Sequence, residues 1–219
     1  MSQEFFDAAT SGDVSKVRAM LQRDRSLAST KDENSVSVIM KAMYYGKKDV
    51  VAALLESGVQ LDVFEAAATG RTERLVGLIA NDPSLLNAYS PDGFTPLGFA
   101  VFFGQREVVR ALLDAGAEVN AASRESMKVT PLASAAAARQ TEIARLLIAH
   151  GANVNARAAG GHIPLHEAAA NGNVELVNLL IEQGADINAK TDDGKTPLDF
   201  AIEYKRAEVV DLLEKLEES

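Results

Sequence analysis

The chain has three histidines, the side-chain type best suited to bind a transition metal or to transfer a proton near neutral pH: His150, His162 and His166. The stretch HIPLH places two of them four residues apart, a spacing that on one helix would turn both imidazoles toward a shared metal ion. His162, however, falls in the turn before the predicted helix, and we expect no cysteine or carboxylate nearby to complete a ligand set. His150 precedes a glycine at a predicted helix C-terminus, where an imidazole complements the helix dipole. We therefore predict structural roles for all three.

Other chemical motifs are weaker. Gly160 and Gly161, and the stretch GADINAKTDDG at 184–194, lack the spacing of a phosphate-binding loop or of an EF-hand. These residue types are instead typical of turns, because glycine and asparagine tolerate positive φ. No Ser, His and Asp arrangement indicates a nucleophile, and a chain with no cysteine has no thiolate chemistry. We predict no catalytic residue, no metal and no cofactor, and hence no enzyme.

Composition narrows the class of partner. The 219 residues carry a net charge of −9, which disfavours nucleic acid and anionic membrane surfaces, since both need a basic face. No apolar run approaches the ~18 residues that a membrane span needs. The N-terminal stretch MSQEFFDAATSGD lacks the basic and apolar regions of a signal peptide. We expect a cytoplasmic protein without disulfides.

A three-residue motif recurs along the chain and marks the start of the predicted helices. Thr-Pro-Leu or Ile-Pro-Leu occurs at 95–97, 130–132, 163–165 and 196–198, with intervals of 35, 33 and 33 residues. Threonine caps a helix, and proline at the first helical position needs no N–H partner. Small alanines follow, a glycine ends the first helix, and segments such as EVVRALL form a second amphipathic helix. Neither helix can bury its own apolar face, so successive units must stack.

These residues resemble ankyrin repeats, as do LLIAHGANVNA at 146–156 and LLIEQGADINA at 179–189. The resemblance implies an all-α solenoid in which each unit has a short β-hairpin finger and two antiparallel helices. It also implies that His166 hydrogen-bonds the backbone of the finger, and that a partner protein binds the concave face.

We predict a single domain over 4–216 with seven helix-turn-helix repeats. A shift of 58 residues superimposes 5–62 on 63–120, so that Gly12, Gly46 and Gly58 meet Gly70, Gly104 and Gly116. This match indicates the duplication of a two-repeat block. Between the second and third repeats, ESGVQLDVFEAA (56–67) leaves no room for a finger, so we predict that repeat 3 lacks one. The predicted repeats span approximately 4–31, 32–62, 63–89, 90–120, 121–155, 156–188 and 189–216.

Two aromatic pairs stand at the same place in the duplicated block, in AMYYG and AVFFG. By the resemblance, the two residues before the glycine and the finger residue before the threonine lie on the concave side. Inner helices pack about 8–10 Å apart, which would place the Tyr pair and the Phe pair roughly twice that distance apart. We predict a cleft with an alanine and a threonine as its floor and aromatic walls. The candidate partner-binding residues are Tyr44, Tyr45, Ala68, Thr69, Phe94, Phe102, Phe103, Met127 and Val129.

The opposing interpretation is that one ring of each pair packs against the neighbouring inner helix, and that duplication alone explains the repetition. The function we favour is a monomeric, non-catalytic module that binds a protein or peptide. The alternatives are small-molecule or peptide binding in the aromatic cleft of repeats 2–4, and an engineered or reconstructed scaffold without a natural partner. The irregular repeats and the missing finger argue against a plain consensus design.

Overall fold

The computed structural model describes residues 2–217, which form an all-helical array without an extended strand. Short 3₁₀ turns follow the second and sixth helices, at Arg25–Ser29 and Pro83–Asn87. The α-helices are α1 (Ser2–Ser11), α2 (Val14–Arg23), α3 (Val38–Tyr44), α4 (Lys48–Glu56), α5 (Val63–Ala68), α6 (Thr72–Asn81), α7 (Pro96–Phe102), α8 (Arg106–Asp114), α9 (Pro131–Ala137), α10 (Thr141–Ala149), α11 (Pro164–Asn171), α12 (Val174–Glu182), α13 (Pro197–Glu203) and α14 (Ala207–Glu217).

Consecutive helices pack as pairs, and the pairs stack into a solenoid. The odd-numbered, inner helices form one row and the even-numbered, outer helices form a second row. The inner helices begin where the sequence predicts: Thr95 accepts a hydrogen bond from Gly98 N–H at 3.0 Å, and Pro96 follows at the first helical position. Alanines such as Ala100 and Ala168 are fully buried between inner helices, which allows these helices to approach closely.

The fingers differ from the predicted β-hairpins. Each is a tight turn closed by a backbone hydrogen bond, such as Ser90 N–H to Phe94 O at 2.9 Å, and the described residues contain only an isolated bridge between Lys31 and Ser37. The reason is length, because a finger this short closes its turn before a ladder of strand hydrogen bonds can form.

Neighbouring fingers are joined by one backbone hydrogen bond each. The donors are the N–H groups of Arg124, Ala159 and Asp192, which reach the preceding finger over 2.8–2.9 Å. In the finger at 90–94 the corresponding residue is Pro91, which has no N–H to donate. The unbroken row of fingers therefore begins at 90–94, and the finger at 32–36, which Asp32 N–H closes by donating to Val36 O at 2.9 Å, stands apart from it.

The join between the second and third helix pairs has a different form. Residues 57–62 connect α4 directly to α5, and this connection contains no finger turn. The outer helices α4 and α6 do not pack closely against each other, and a groove of about 790 Å³ lies between them. Arg74 on α6 reaches across this join and donates to Leu61 O at 3.0 Å. This join is the main irregularity of the array.

Candidate functional site

Several aromatic side chains lie exposed at the C-terminal ends of the inner helices α3 and α7. Tyr44, Tyr45 and Phe102 expose 39%, 60% and 51% of their surface, and Met127 on the neighbouring finger exposes 54%. The aromatic pairs end their helices directly before Gly46 and Gly104, where the chain turns with positive φ. We call this set the aromatic surface; its residues are Tyr44, Tyr45, Phe94, Phe102, Phe103 and Met127.

Four of these rings form a continuous network that is anchored in the core, namely those of Tyr44, Phe94, Phe102 and Phe103. Tyr44 lies 5.7 Å from Phe103 and 6.5 Å from Phe102, measured between ring centroids. Phe103 is half-buried and stacks on Phe99, which is buried in α7. Phe103 thus follows the interpretation in which one ring of a pair packs inward, whereas its neighbour Phe102 remains exposed.

The predicted open cleft between the two pairs is wrong. The Tyr and Phe rings touch, because large side chains from α3 and α7 reach over the small residues of α5 between them. Ala68 is fully buried in the core and cannot be the floor of a binding site. Thr69 is half-buried, and its hydroxyl donates to Glu65 O at 2.6 Å. The result is a ridged aromatic surface in place of an open cleft.

Tyr44 also links the two sides of the irregular join. Its hydroxyl donates to Asp92 Oδ2 on the finger at 90–94, over 2.7 Å. Burial, followed by the hydrogen bond to the Asp92 carboxylate, raises the pKa of Tyr44 far above its usual value. Tyr44 therefore remains a hydrogen-bond donor at any physiological pH.

The finger residues of the candidate set differ in exposure. Phe94 is half-buried, with its ring 6.4 Å from Phe102 and 5.3 Å from Phe99. Val129 is half-buried, and its N–H donates to Ser123 Oγ at 2.9 Å within its own finger. The structure therefore brings Phe94 into the aromatic surface, while Val129 serves mainly to close a turn.

His166 is a structural residue. Ile163 N–H donates to its Nδ1 at 3.1 Å, and its Nε2–H faces the carbonyls of Ala189 at 3.1 Å and Lys195 at 3.2 Å. Burial lowers the pKa of His166, which favours the neutral imidazole. This geometry matches the role that the resemblance implies, since the side chain joins the start of its own helix to the next finger.

His162 departs from one expectation, because a carboxylate does stand beside it. Glu167 Oε1 lies 3.1 Å from His162 Nδ1. Within residues 2–217, the structure still brings no three histidine or acidic side chains into an arrangement that could hold a metal ion. His150 donates to Leu146 O at 2.8 Å at the end of α10, as a helix-terminal side chain should.

Sequence reasoning missed a buried acid at the irregular join. Glu65 accepts from Asp62 N–H at 2.8 Å, while Asp62 accepts from Glu65 N–H at 2.9 Å, and the Ser37 hydroxyl also bonds the Glu65 carboxylate. Burial raises the pKa of Glu65 above its ordinary value. The spacing of Asp62 and Glu65 is that of a capping box, a signal that was available in the sequence.

Comparison with known proteins agrees with this architecture. The family model described as ankyrin repeats (3 copies) matches residues 63–158 and 157–218, well over half of the chain. The chain belongs to the ankyrin-repeat family. A relative from Oryza sativa subsp. japonica, titled "Probable E3 ubiquitin-protein ligase XBOS31", is 29% identical over 125 residues, 52% of this chain and 28% of the relative. This ankyrin-repeat chain therefore spans less than a third of that relative's length.

The family match begins at Val63, the first residue of α5. The two helix pairs before it lie outside the matched residues, and the irregular join coincides with this boundary. Tyr44 and Tyr45 belong to the unmatched side, whereas Phe94, Phe102 and Phe103 belong to the matched ankyrin repeats. The aromatic surface is thus assembled from both parts of the chain.

In the described part of the chain, no helix has the length and apolar character needed to cross a membrane.

Proposed function

We propose that these ankyrin repeats bind a partner protein or peptide through the aromatic surface, on the concave face of the solenoid. The observation that carries this proposal is the exposure of Tyr45 and Phe102, of which Phe102 packs edge-to-face on Phe103, a ring that is fixed to the core. Rigid aromatic side chains favour binding because they bury a large area and lose little conformational entropy on association.

Several features support binding rather than chemistry. Two polar side chains at the aromatic surface are engaged in structural contacts: the Tyr44 hydroxyl with Asp92, and Lys41 with Asp32 at 2.8 Å. The rings are in mutual contact, which favours the flat surface of a protein or peptide over a small molecule enclosed in a pocket. We do not extend the ligase activity in the relative's title to this chain, because the shared region is a small part of that protein.

The experiment is affinity capture from the native source with the wild-type chain and a Tyr45→Ala, Phe102→Ala double variant. Tyr204→Ala is the matched control, because this aromatic ring on the last helix pair is 50% exposed and lies outside the aromatic surface. We expect the double variant to lose at least one captured protein that the wild type and the control both retain. Unchanged melting temperatures would show that the loss is not caused by unfolding. Identical captured sets for all three chains would contradict the proposal.

A further inference from the structure

Two carboxylates border the aromatic surface without a cationic partner. Asp92 and Glu125 occupy neighbouring fingers, which are joined by the hydrogen bond from Arg124 N–H to Gly93 O at 2.8 Å. Both carboxylates act electrostatically on Tyr44. Within residues 2–217, neither one forms a salt bridge. An exposed aromatic surface is thus bordered by two carboxylates that are not held in an ion pair.

The cations in this region form no ion pair with these two carboxylates, although Lys41 interacts with Asp92 at longer range. Lys41 is paired with Asp32 at 2.8 Å. Arg124 lies over the ring of Tyr89, with its guanidinium carbon 3.7 Å from the ring centroid. Lys128, on the same finger as Glu125, forms no ion pair with either carboxylate in the described structure. A complementary partner should therefore supply the missing positive charge.

The last helix pair shows how this protein accommodates such a cation. There Lys195 Nζ lies 5.6 Å from the centroid of the Phe200 ring and 2.6 Å from Glu203 Oε2. Lys195 is the finger residue before the threonine, and the residue at the same position in the fourth helix pair is Phe94. At the aromatic surface the rings and the carboxylates are present, but in the described residues no lysine or arginine forms an ion pair with either carboxylate.

We infer that the partner segment presents an arginine flanked by an apolar side chain. The guanidinium stacks on the exposed aromatic rings and donates hydrogen bonds to Asp92 and Glu125, while the apolar neighbour packs on Phe102. Arginine is favoured over lysine because its planar, weakly hydrated group stacks on rings and binds carboxylates at the same time. The inference rests on the proposed function, since it specifies the chemistry of a partner for the same surface.

The test is selection of a displayed library of random peptides on the wild-type chain, followed by equilibrium binding of the enriched peptides. The charge variant is Asp92→Asn with Glu125→Gln, which keeps an acceptor for the Tyr44 hydroxyl. Its matched control is Asp211→Asn with Glu214→Gln, a loss of two exposed charges on α14. Tyr45→Ala with Phe102→Ala removes the exposed rings.

We expect the enriched peptides to carry arginine beside an apolar residue. Their affinity should fall about tenfold or more in the charge variant, a loss typical of a charge-assisted hydrogen bond, and should not change in the control. Replacement of the arginine by citrulline, its neutral isostere, should cause a similar loss.

Two other outcomes separate the inference from the proposed function. Peptides that need Tyr45 and Phe102 but carry no arginine, and bind the charge variant as tightly as the wild type, would overturn the inference and leave the proposed function standing. Enriched peptides whose affinity is unaffected by loss of Tyr45 and Phe102 would overturn both.

Discussion

The join between the second and third helix pairs and the join between the sixth and seventh solve the same packing problem differently. At the later join, inner and outer helices both pack, and Asp192 N–H links its finger to Gly160 O at 2.8 Å. At the earlier join there is no finger, and α4 and α6 are separated by the groove of about 790 Å³. At the earlier join, side chains such as that of Arg74 make the contacts that backbone groups make between other helix pairs.

One position shows the difference most clearly. Glu65 and His166 each occupy the third position of an inner helix, and each is buried. His166 reaches forward to the next finger, whereas Glu65 bonds backward to Ser37 at the start of α3. Burial keeps both groups toward their neutral forms, so it shifts their pKa values in opposite directions.

The largest effect is expected for His166→Ala. This change leaves Ile163 N–H and the carbonyls of Ala189 and Lys195 without their partner, so we expect the free energy of unfolding to fall by about 3 kcal/mol. Urea denaturation followed by circular dichroism measures the loss. His150→Ala, at an exposed helix end, should cost far less; equal losses would contradict the bridging role of His166.

The lowered pKa of His166 determines how its contribution to folding stability changes with pH. The unfolded chain takes up a proton near pH 6.5, whereas the folded chain does so only at lower pH. Acidification below about pH 6.5 should therefore destabilise the wild type relative to His166→Gln, which cannot titrate. Unfolding curves of the two chains across this range test the prediction. A stability difference that is constant with pH would contradict it.

Glu65→Gln should change the free energy of unfolding by less than the His166 variants do, and its pH dependence should have the opposite direction. The unfolded chain loses its Glu65 proton near pH 4.5, and the folded chain retains it to higher pH, so the wild type loses stability as pH rises through the folded pKa. Glutamine keeps the acceptor for Asp62 N–H without the charge. We expect the variant to gain stability over the wild type as pH rises above 4.5, measured by urea denaturation. Glu73→Gln, on the exposed side of α6, controls for the lost charge; the same trend in both variants would refute the assignment.

The contact across the irregular join can be broken with Tyr44→Phe. The variant keeps the ring and loses the hydrogen bond to Asp92, so we expect a loss of about 1 kcal/mol, given partial exposure to water. Tyr45→Phe should have no effect, because the Tyr45 hydroxyl makes no hydrogen bond in the described structure. A double-mutant cycle with Asp92→Ala measures the coupling, and additive losses would show that the contact contributes nothing.

The smallest effect is expected at Lys205, which takes the place of the helix-ending glycine with φ of 56°. A side chain is strained in this conformation, so Lys205→Gly should stabilise the chain by about 0.5 kcal/mol. Differential scanning calorimetry can detect the higher melting temperature. Lys215→Gly, inside α14, should instead destabilise. A lower melting temperature for Lys205→Gly would show that the backbone at this position carries no strain.

Sequence periodicity was enough to predict the helix pairs, because caps, prolines and apolar spacing act within one repeat. The ankyrin resemblance led us to expect the aromatic pairs on the surface; Tyr44, Tyr45 and Phe102 are exposed, whereas Phe103 packs inward. The contact between Tyr44 and Phe103 could not be predicted in this way, because it depends on how far side chains reach across a neighbouring repeat. The same reason explains why the predicted cleft was wrong and why the link from Tyr44 to Asp92 was missed. Repeat spacing specifies where the helices lie along the chain but not the side-chain contacts between repeats.

The central claim is that a partner contacts the aromatic surface. A photoreactive phenylalanine analogue placed at Tyr45, and separately at Tyr204, tests it directly against the captured partner. The two positions are similarly exposed, at 60% and 50%, and lie on different helix pairs. We predict a crosslink to the partner from position 45 and none from position 204. A crosslink from position 204 alone, with capture intact in both chains, would contradict the account.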